Sequence, residues 1–304
     1  MFRRKLFRLA TTKGPLVLGR RTLVMGVLNV TPDSFSDGGK FFAPRQAIDH
    51  AFAMQTAGAD ILDIGAESTR PGSHAISVAE ELRRLLPVLE GLRKRRLKIP
   101  ISIDTRRSIV AEAAIGAGAQ MLNDVSGLHH NPELAEVAAR HRVPLILMHM
   151  RGTPETMQKK PFALNVLRDV SSGLRRSIAM ARRAGVAKSQ IIVDPGIGFG
   201  KSFAQNYELL ARLPELAGLG YPLLVGTSRK GFLGATLARD SKPTPAAQRI
   251  WATAATVTAS ILAGAHIVRV HDVTEMVQVT RTADCLLTRR FSPDKIKAVV
   301  GTAF

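Results

Sequence analysis

Eight apolar runs of strand length alternate with helical stretches, and no Gly/Ser- or Pro-rich linker divides them. Together with the polar groups that follow every run, this predicts an α/β fold: a single (β/α)₈ TIM barrel with a short N-terminal β-hairpin. Barrel enzymes gather their sites at the C-terminal ends of the strands, so polar residues in register there favour a closed barrel over an open sheet.

The elements follow in order. Leu16-Val17-Leu18, a Gly19-Arg20-Arg21 turn and Leu23-Val24 read as the hairpin. The eight runs are Leu23–Leu28, Asp60–Ile64, Ile99–Ile103, Gln120–Leu122, Leu145–Met148, Ile191–Val193, Leu223–Val225 and His266–Val268. Helical periodicity fills the gaps, for instance over Ser77–Arg96 and Pro132–His141. A later helix is expected from Thr244 as N-cap and Pro245 as first helical residue to Ala263, closed by Gly264. Glycines in Ala-Gly contexts (Gly58, Gly118, Gly264) stand where a helix ends and the next strand begins. The chain divides into a basic N-terminal extension (1–15), the barrel (16–290) and a C-terminal tail (291–304).

Composition narrows the function classes. Over 304 residues the chain is 45% hydrophobic, which excludes bulk disorder. The single Cys285 excludes an internal disulfide framework and a Cys-cluster zinc site. Its apolar setting, Asp284-Cys285-Leu286-Leu287, predicts a packed core thiol, in keeping with a reducing cytoplasm. No apolar run reaches the roughly 18 residues of a membrane span. The excess of 43 Lys+Arg over 24 Asp+Glu, formally +19, attracts anions. Met1–Arg21 and Arg93–Arg96 carry much of it and read as solvated faces. A nucleic-acid interface is not expected, because aromatics make up only 5% and none interleaves with the basic runs. Met1–Arg8 has something of a transit peptide but meets the first strand too soon, so it reads as an extension.

Each strand delivers chemistry at its end. Asn29 is followed by Thr31–Gly39, and the second strand runs into Glu67–Gly72. The third ends at Asp104-Thr105, the fourth at Asn123-Asp124 and the fifth at His149. Asp194-Pro195-Gly196, Ser228-Arg229-Lys230 and Arg269-Val270-His271-Asp272 close the last three. An isolated strand-end Asp is as often a helix cap as a ligand. Eight polar ends in register are not so easily explained.

These residues form motifs: MGVLNVTPDSFSDGG (Met25–Gly39), ESTRPG (Glu67–Gly72), SIDT (Ser102–Thr105), NDVSG (Asn123–Gly127), LMHMRGTPETMQ (Leu147–Gln158), DPGIGFGK (Asp194–Lys201), SRKGFLG (Ser228–Gly234) and RVHDV (Arg269–Val273). The chain resembles the bacterial dihydropteroate synthases, a pterin-binding barrel family, from about Leu16 to Thr288. The resemblance implies condensation of a pterin methyl diphosphate with 4-aminobenzoate, a magnesium cofactor, a homodimer built on the last helices, and sulfonamides as competing mimics. By motif position, Asp194, Asn123, Asp104 and Lys230 meet the pterin ring. Asn29 coordinates Mg²⁺, and Arg269 and His271 clamp the diphosphate. Phe35, Asp37, Thr69, Arg70 and Pro71 form the 4-aminobenzoate site, with Phe199, Lys201 and Ser228 as further ring or carboxylate contacts.

The residue types suit that chemistry. A carboxylate accepts the ring's parallel 2-amino and N3–H donors in a fork. Arg269 and His271, two apart on a strand, point to one side and reach one anion. Loss of diphosphate leaves a ring-delocalised cation, so a dissociative, SN1-like substitution is expected, without an enzyme nucleophile. For Arg269 and His271 the plain alternative is a salt-bridged rim, and for His149 a core histidine. Rival functions are a pterin-dependent methyltransferase, which has no use for the diphosphate clamp, and a non-catalytic binding paralogue, which has no need of Asn29, Phe35 and Thr69. Two departures from the family pattern stand out: Ala66 in place of a second glycine, and Gln248-Arg249 in place of Glu-Arg.

Overall fold

The computed structural model describes residues 4–11, 14–31, 39–68, 73, 75–153, 155–157 and 163–288. An antiparallel pair, β1 (Phe7–Leu9) and β2 (Leu16–Leu18), precedes an eight-stranded parallel sheet. The sheet comprises β3 (Leu23–Asn29), β4 (Ile61–Gly65), β5 (Ile101–Asp104), β6 (Met121–Asp124), β7 (Leu145–Met148), β8 (Ile191–Asp194), β9 (Leu224–Val225) and β10 (Ile267–Val270). Its order is β8-β7-β6-β5-β4-β3-β10-β9. A parallel bridge between Val193 and Leu223, with Val193 N–H donating to Pro222 O at 3.0 Å, brings the two ends together and closes the barrel.

Helices α1 (Gly39–Ala57), α2 (Val78–Lys94), α3 (Ser108–Gly116), α4 (Leu134–His141), α5 (Val166–Arg183), α6 (Phe203–Ala211), α7 (Gly231–Thr236), α8 (Ile250–Leu262) and α9 (Val273–Thr288) alternate with the strands. Where a helix must return to a strand in few residues, glycine supplies the left-handed turn: Gly264 has φ +105°. α2 shows the local logic of a helix start. Ser77 Oγ accepts from Glu80 N–H, while Glu80 and Glu81 sit in the first turn and Arg93 and Lys94 in the last, each suiting the helix dipole.

The period of two along each strand divides the side chains. Val24, Leu28, Leu62, Ile64, Leu145, Leu147, Ile191 and Val193 face outward into the main core against the helices. Leu23, Met25, Ile61, Met121, Ile146, Ile192, Leu224 and Ile267 face inward and fill the lower barrel. Leu9 and Leu18 of the hairpin join that inner cluster and close it from beneath.

Three expectations are corrected. The hairpin partner of Leu16–Leu18 is Phe7–Leu9 rather than Leu23-Val24, because Leu23 and Val24 are already paired in the barrel beside β10. Part of the basic extension is therefore built into the floor. Arg4 is buried and donates to Thr22 Oγ1 (2.7 Å) and Ala265 O (2.9 Å) and pairs with Asp284. α8 begins at Ile250, after a short 3₁₀ turn at Ala246–Gln248. Thr244 does not cap it: its hydroxyl donates to Leu237 O at 2.8 Å. Cys285 is exposed, not packed, since it lies on the outer side of α9. Both sequence departures are absorbed. Ala66 is buried in the core, and Arg249 donates to the carbonyls of Thr244 and Arg229 in place of an acidic partner.

Candidate active site

Two residues beyond the inner apolar layer, four of the inward-facing rows turn polar, at Asp63, Asn123, Asp194 and Arg269, and a cavity of about 720 Å³ opens at the C-terminal ends of the strands. That volume suits a small organic ligand. Asn29, Asp104, Asn123, Phe199 and Ser228 line it, and so do Asp194, Lys230, Arg269 and His271. With Lys201, which lines it too, the structure brings together ten of the sequence-predicted site residues. Phe35, Asp37, Thr69, Arg70 and Pro71 lie outside the described residues. The base of the second loop is described. Glu67 Oε1 accepts from Ile76 N–H (3.1 Å), its carboxylate pairs with Arg106 and Arg107, and Ser73 Oγ donates to Ser68 O.

Asp194 ends β8, almost fully buried, with Oδ1 accepting from Gly196 N–H at 2.7 Å. One oxygen thus performs the turn-capping role of an ordinary strand-end aspartate, and Oδ2 is left for the cavity. Burial pushes its pKa up to about 6, against the Gly196 N–H and the charges of Lys230 and Arg269. Gly196 is required here, because a Cβ would lie 1.9 Å from His149 O. Asp104 is likewise raised by burial, with Arg269 opposing. Arg269 donates to Asp104 from Nη2 (2.8 Å) and to Asp63 from Nε (2.6 Å). The salt-bridged rim and the cavity-lining arginine are one and the same residue.

Lys230 lies with Nζ 3.9 Å from the centre of the Phe199 ring, a cation–π contact on the cavity wall. Burial first, then Arg269, lowers its pKa to about 8. His271 Nδ1 is 3.0 Å from Ser228 Oγ, which also accepts from His271 N–H. The serine proton is then available to Nδ1, leaving the ring N–H on Nε2. Burial and the nearby Arg269 lower the His271 pKa to about 3, so it serves as a neutral donor rather than a cation. Among the described residues, the Asn29 side chain makes no hydrogen bond.

Asp63 escaped sequence reasoning. Asp63 is fully buried below the cavity and binds both Arg269 and Asn123. Its signal, a lone Asp in the apolar run Ile61-Leu62-Asp63-Ile64, was visible. Lys201, a further contact by motif position, also lines the cavity; it is buried, and Nζ donates to the carbonyls of Gly196 (2.9 Å), Phe199 (3.0 Å) and His149 (3.2 Å), so it braces the Asp194–Lys201 loop. Asp124 is a turn former, accepting from Ser126 and Leu128 N–H. His149, beside Lys201 and with its pKa held far down by burial, is a core histidine.

A family model described as pterin binding enzyme matches residues 25–271, which spans every strand of the barrel. The chain belongs to the pterin-binding enzyme family. Within it, the chain is 50% identical over 268 residues to a dihydropteroate synthase of Synechocystis sp., covering 88% of this chain and 91% of that protein. The barrel resembles the Yersinia pestis dihydropteroate synthase solved with a sulfonamide drug, at TM-score 0.85 and 41% identity, covering 93% of this chain and 100% of that one. The Xanthomonas albilineans dihydropteroate synthase solved with 4-aminobenzoic acid has the same TM-score of 0.85 and identity of 41%, with 93% and 98% covered. In this pterin-binding barrel, no described helix is long and apolar enough to cross a membrane.

Proposed function

We propose that the chain is a dihydropteroate synthase, condensing (7,8-dihydropterin-6-yl)methyl diphosphate with 4-aminobenzoate to 7,8-dihydropteroate and diphosphate in folate biosynthesis. The observation that carries this reading is the division of the cavity lining into two sets. Acceptors come from β8, β6 and β5 (Asp194, Asn123, Asp104), and donors from β10, the turn after it and the loop after β9 (Arg269, His271, Lys230). A heterocycle rich in N–H groups and carrying an anionic tail matches both sets at once.

In this reading Asp194 accepts the 2-amino and N3–H donors of the ring, and Lys230 donates to the ring carbonyl and N5. Asp104 and Asn123 meet the remaining ring edge. Arg269 Nη1 and His271 Nε2–H face the diphosphate, and Ser228 orients His271 through its hydroxyl. The methylene–oxygen bond breaks with its electron pair leaving on the diphosphate, and the resulting cation is delocalised into the ring. The amine nitrogen of 4-aminobenzoate then forms the new C–N bond and releases a proton. Preorganised donors aimed at the leaving group lower the barrier, each by about 2.7–4 kcal/mol. Phe199 forms a wall for the aromatic amine. Phe35, Asp37, Thr69, Arg70 and Pro71 are assigned to the same substrate by motif position, with sulfonamides as competitors.

Magnesium fits this donor set as a companion of the diphosphate. Among the described residues no three His, Cys, Asp or Glu cluster to hold a metal, and Asn29 offers one neutral oxygen. Magnesium keeps much of its shell from water and phosphate oxygens, so Asn29 alone would suffice as its ligand among the described residues. When bound it neutralises charge on the leaving group. A homodimer through α8 and α9 is supported by apolar groups left outside: Trp251 is 81% exposed, with Leu262 on the same helix and Leu286 on α9. The exposed Cys285 belongs to that surface. A cytoplasmic location accords with a lone free thiol.

The test is release of diphosphate with and without 4-aminobenzoate and Mg²⁺. Release stimulated by the amine is expected. A methyltransferase or a non-catalytic binder would release none, and that result would remove the proposal.

A further inference from the structure

Asp63 occupies the middle of β4, in register with Val27 on β3 and Ser102 on β5, and has no exposed surface. It does not line the cavity. A single oxygen, Oδ2, accepts from Arg269 Nε at 2.6 Å and from Asn123 Nδ2 at 3.0 Å. Its other oxygen, buried, has no hydrogen bond in the described structure. The charge of this carboxylate is thus set against Arg269.

The chemistry of the two bonds is directional. An ionised carboxylate only accepts, so Asn123 must turn its NH₂ to Asp63 and leave its carbonyl oxygen for the cavity that it lines. Arg269 is held at Nε by Asp63 and at Nη2 by Asp104, which leaves Nη1 as the part of the fork able to meet a ligand. An amide free to rotate by half a turn would present either a donor or an acceptor, and an arginine tied at one point would sweep the cavity. Asp63 removes both freedoms from beneath.

We propose that Asp63 is a positioning residue that sets the hydrogen-bond polarity of the cavity: it makes Asn123 an acceptor and aims Arg269. The inference rests on the pterin-site reading above. Asp63 touches no reacting atom and acts through its two partners.

The experiment is steady-state kinetics on the full chain with Asp63→Asn, Asn123→Ala and the double variant, each with a thermal melt. Asp63→Asn is expected to raise KM for the pterin diphosphate by about tenfold or more, the loss of a charge-assisted bond. KM for 4-aminobenzoate should stay within about twofold. In the Asn123→Ala background the same change should add much less, because residues acting through one contact are not additive. Equal rises in both KM values, or full additivity in the double variant, overturn the proposal. Asp63→Ser provides a second probe should Asp63→Asn not fold. If neither folds where Asp104→Asn does, Asp63 is a folding residue and the proposal is again overturned. If the unaltered chain shows no amine-stimulated release of diphosphate, the pterin-site reading itself fails. Activity with an unchanged pterin KM in Asp63→Asn removes only the present inference.

Discussion

At the floor of the barrel, Met25, Ile61, Met121, Ile146, Ile192 and Ile267 pack on one another and on Leu9 and Leu18. Two residues further along the same strands, toward the mouth, stand Val27, Asn123, Met148, Asp194 and Arg269, with Asp63 just beneath the cavity. The backbone geometry is shared, so the difference lies in what each layer is asked to do. Each floor side chain removed from water contributes about 1.5–3 kcal/mol. At the mouth, burial raises Asp104 and Asp194 and lowers Lys230, which means that the charged forms are held at a loss until a ligand meets them. Stability is concentrated below and strain in charge above.

The sharpest test of that division is Arg269→Met. It removes the donor proposed to meet the leaving group, and kcat should fall by about 10²–10³-fold. A loss confined to KM would mean that Arg269 binds substrate without favouring the transition state.

The counterpart below is Ile192→Ala. Truncation in a closed apolar layer should cost about 2–5 kcal/mol in urea unfolding. Both KM values should remain within about twofold of the unaltered chain. A raised pterin KM would break the comparison, because it would show the floor shaping the mouth.

An intermediate effect is expected from Lys201→Met, which keeps the buried length but removes the donor to the Gly196, Phe199 and His149 carbonyls. Leaving buried carbonyls unpaired costs about 1–3 kcal/mol per group. The loop that carries Asp194 and Phe199 should loosen, and the pterin KM should rise by about tenfold while the melting temperature drops. An unchanged KM would show that the loop holds its shape through Gly196 and Asn206 alone.

The eight strands and their polar ends could be read from the sequence because a short continuous apolar run closed by polar residues is a local signal. So could Asn29, Asp104, Asn123, Asp194 and Arg269 of the cavity lining, since each directly follows an apolar run. What the sequence concealed depends on distance along the chain. Asp63 meets Asn123 across 60 residues and Arg269 across 206, and nothing local marks such pairs. Phe7–Leu9 is too short and too basic in its surroundings to announce a strand, and only the floor it covers explains it. The bracing role of Lys201 is equally hidden, because the carbonyls it serves belong to Gly196, Phe199 and, 52 residues away, His149. The Asp194–Lys201 loop itself turns through the positive φ of Gly196, Gly198 and Gly200. The outward side of α9, and with it Cys285, follows from helix packing that a single apolar run does not specify.

The smallest effect should be the most diagnostic, because the two ends of the barrel titrate in opposite senses over one pH range. At the floor, His266 Nδ1 accepts from Leu223 N–H at 3.1 Å, which requires a neutral ring. Burial lowers its pKa from 6.5 to about 4. Its contribution is therefore present above pH 6.5 and lost as pH falls toward 4. At the mouth, Asp194 is raised from 3.8 to about 6, so its contribution is full below 3.8 and lost as pH rises through 6. Melting His266→Gln and Asp194→Asn against the unaltered chain from pH 4.5 to 7.5 separates the two. The penalty of His266→Gln should shrink toward acid, and Asp194→Asn should gain on the unaltered chain toward neutral, each by on the order of 1 kcal/mol. Pterin affinity should strengthen over the same rise in pH, as Asp194 ionises to accept the ring donors. Two flat differences would show that neither end is held against its charge, and the contrast between floor and mouth would then reduce to packing alone.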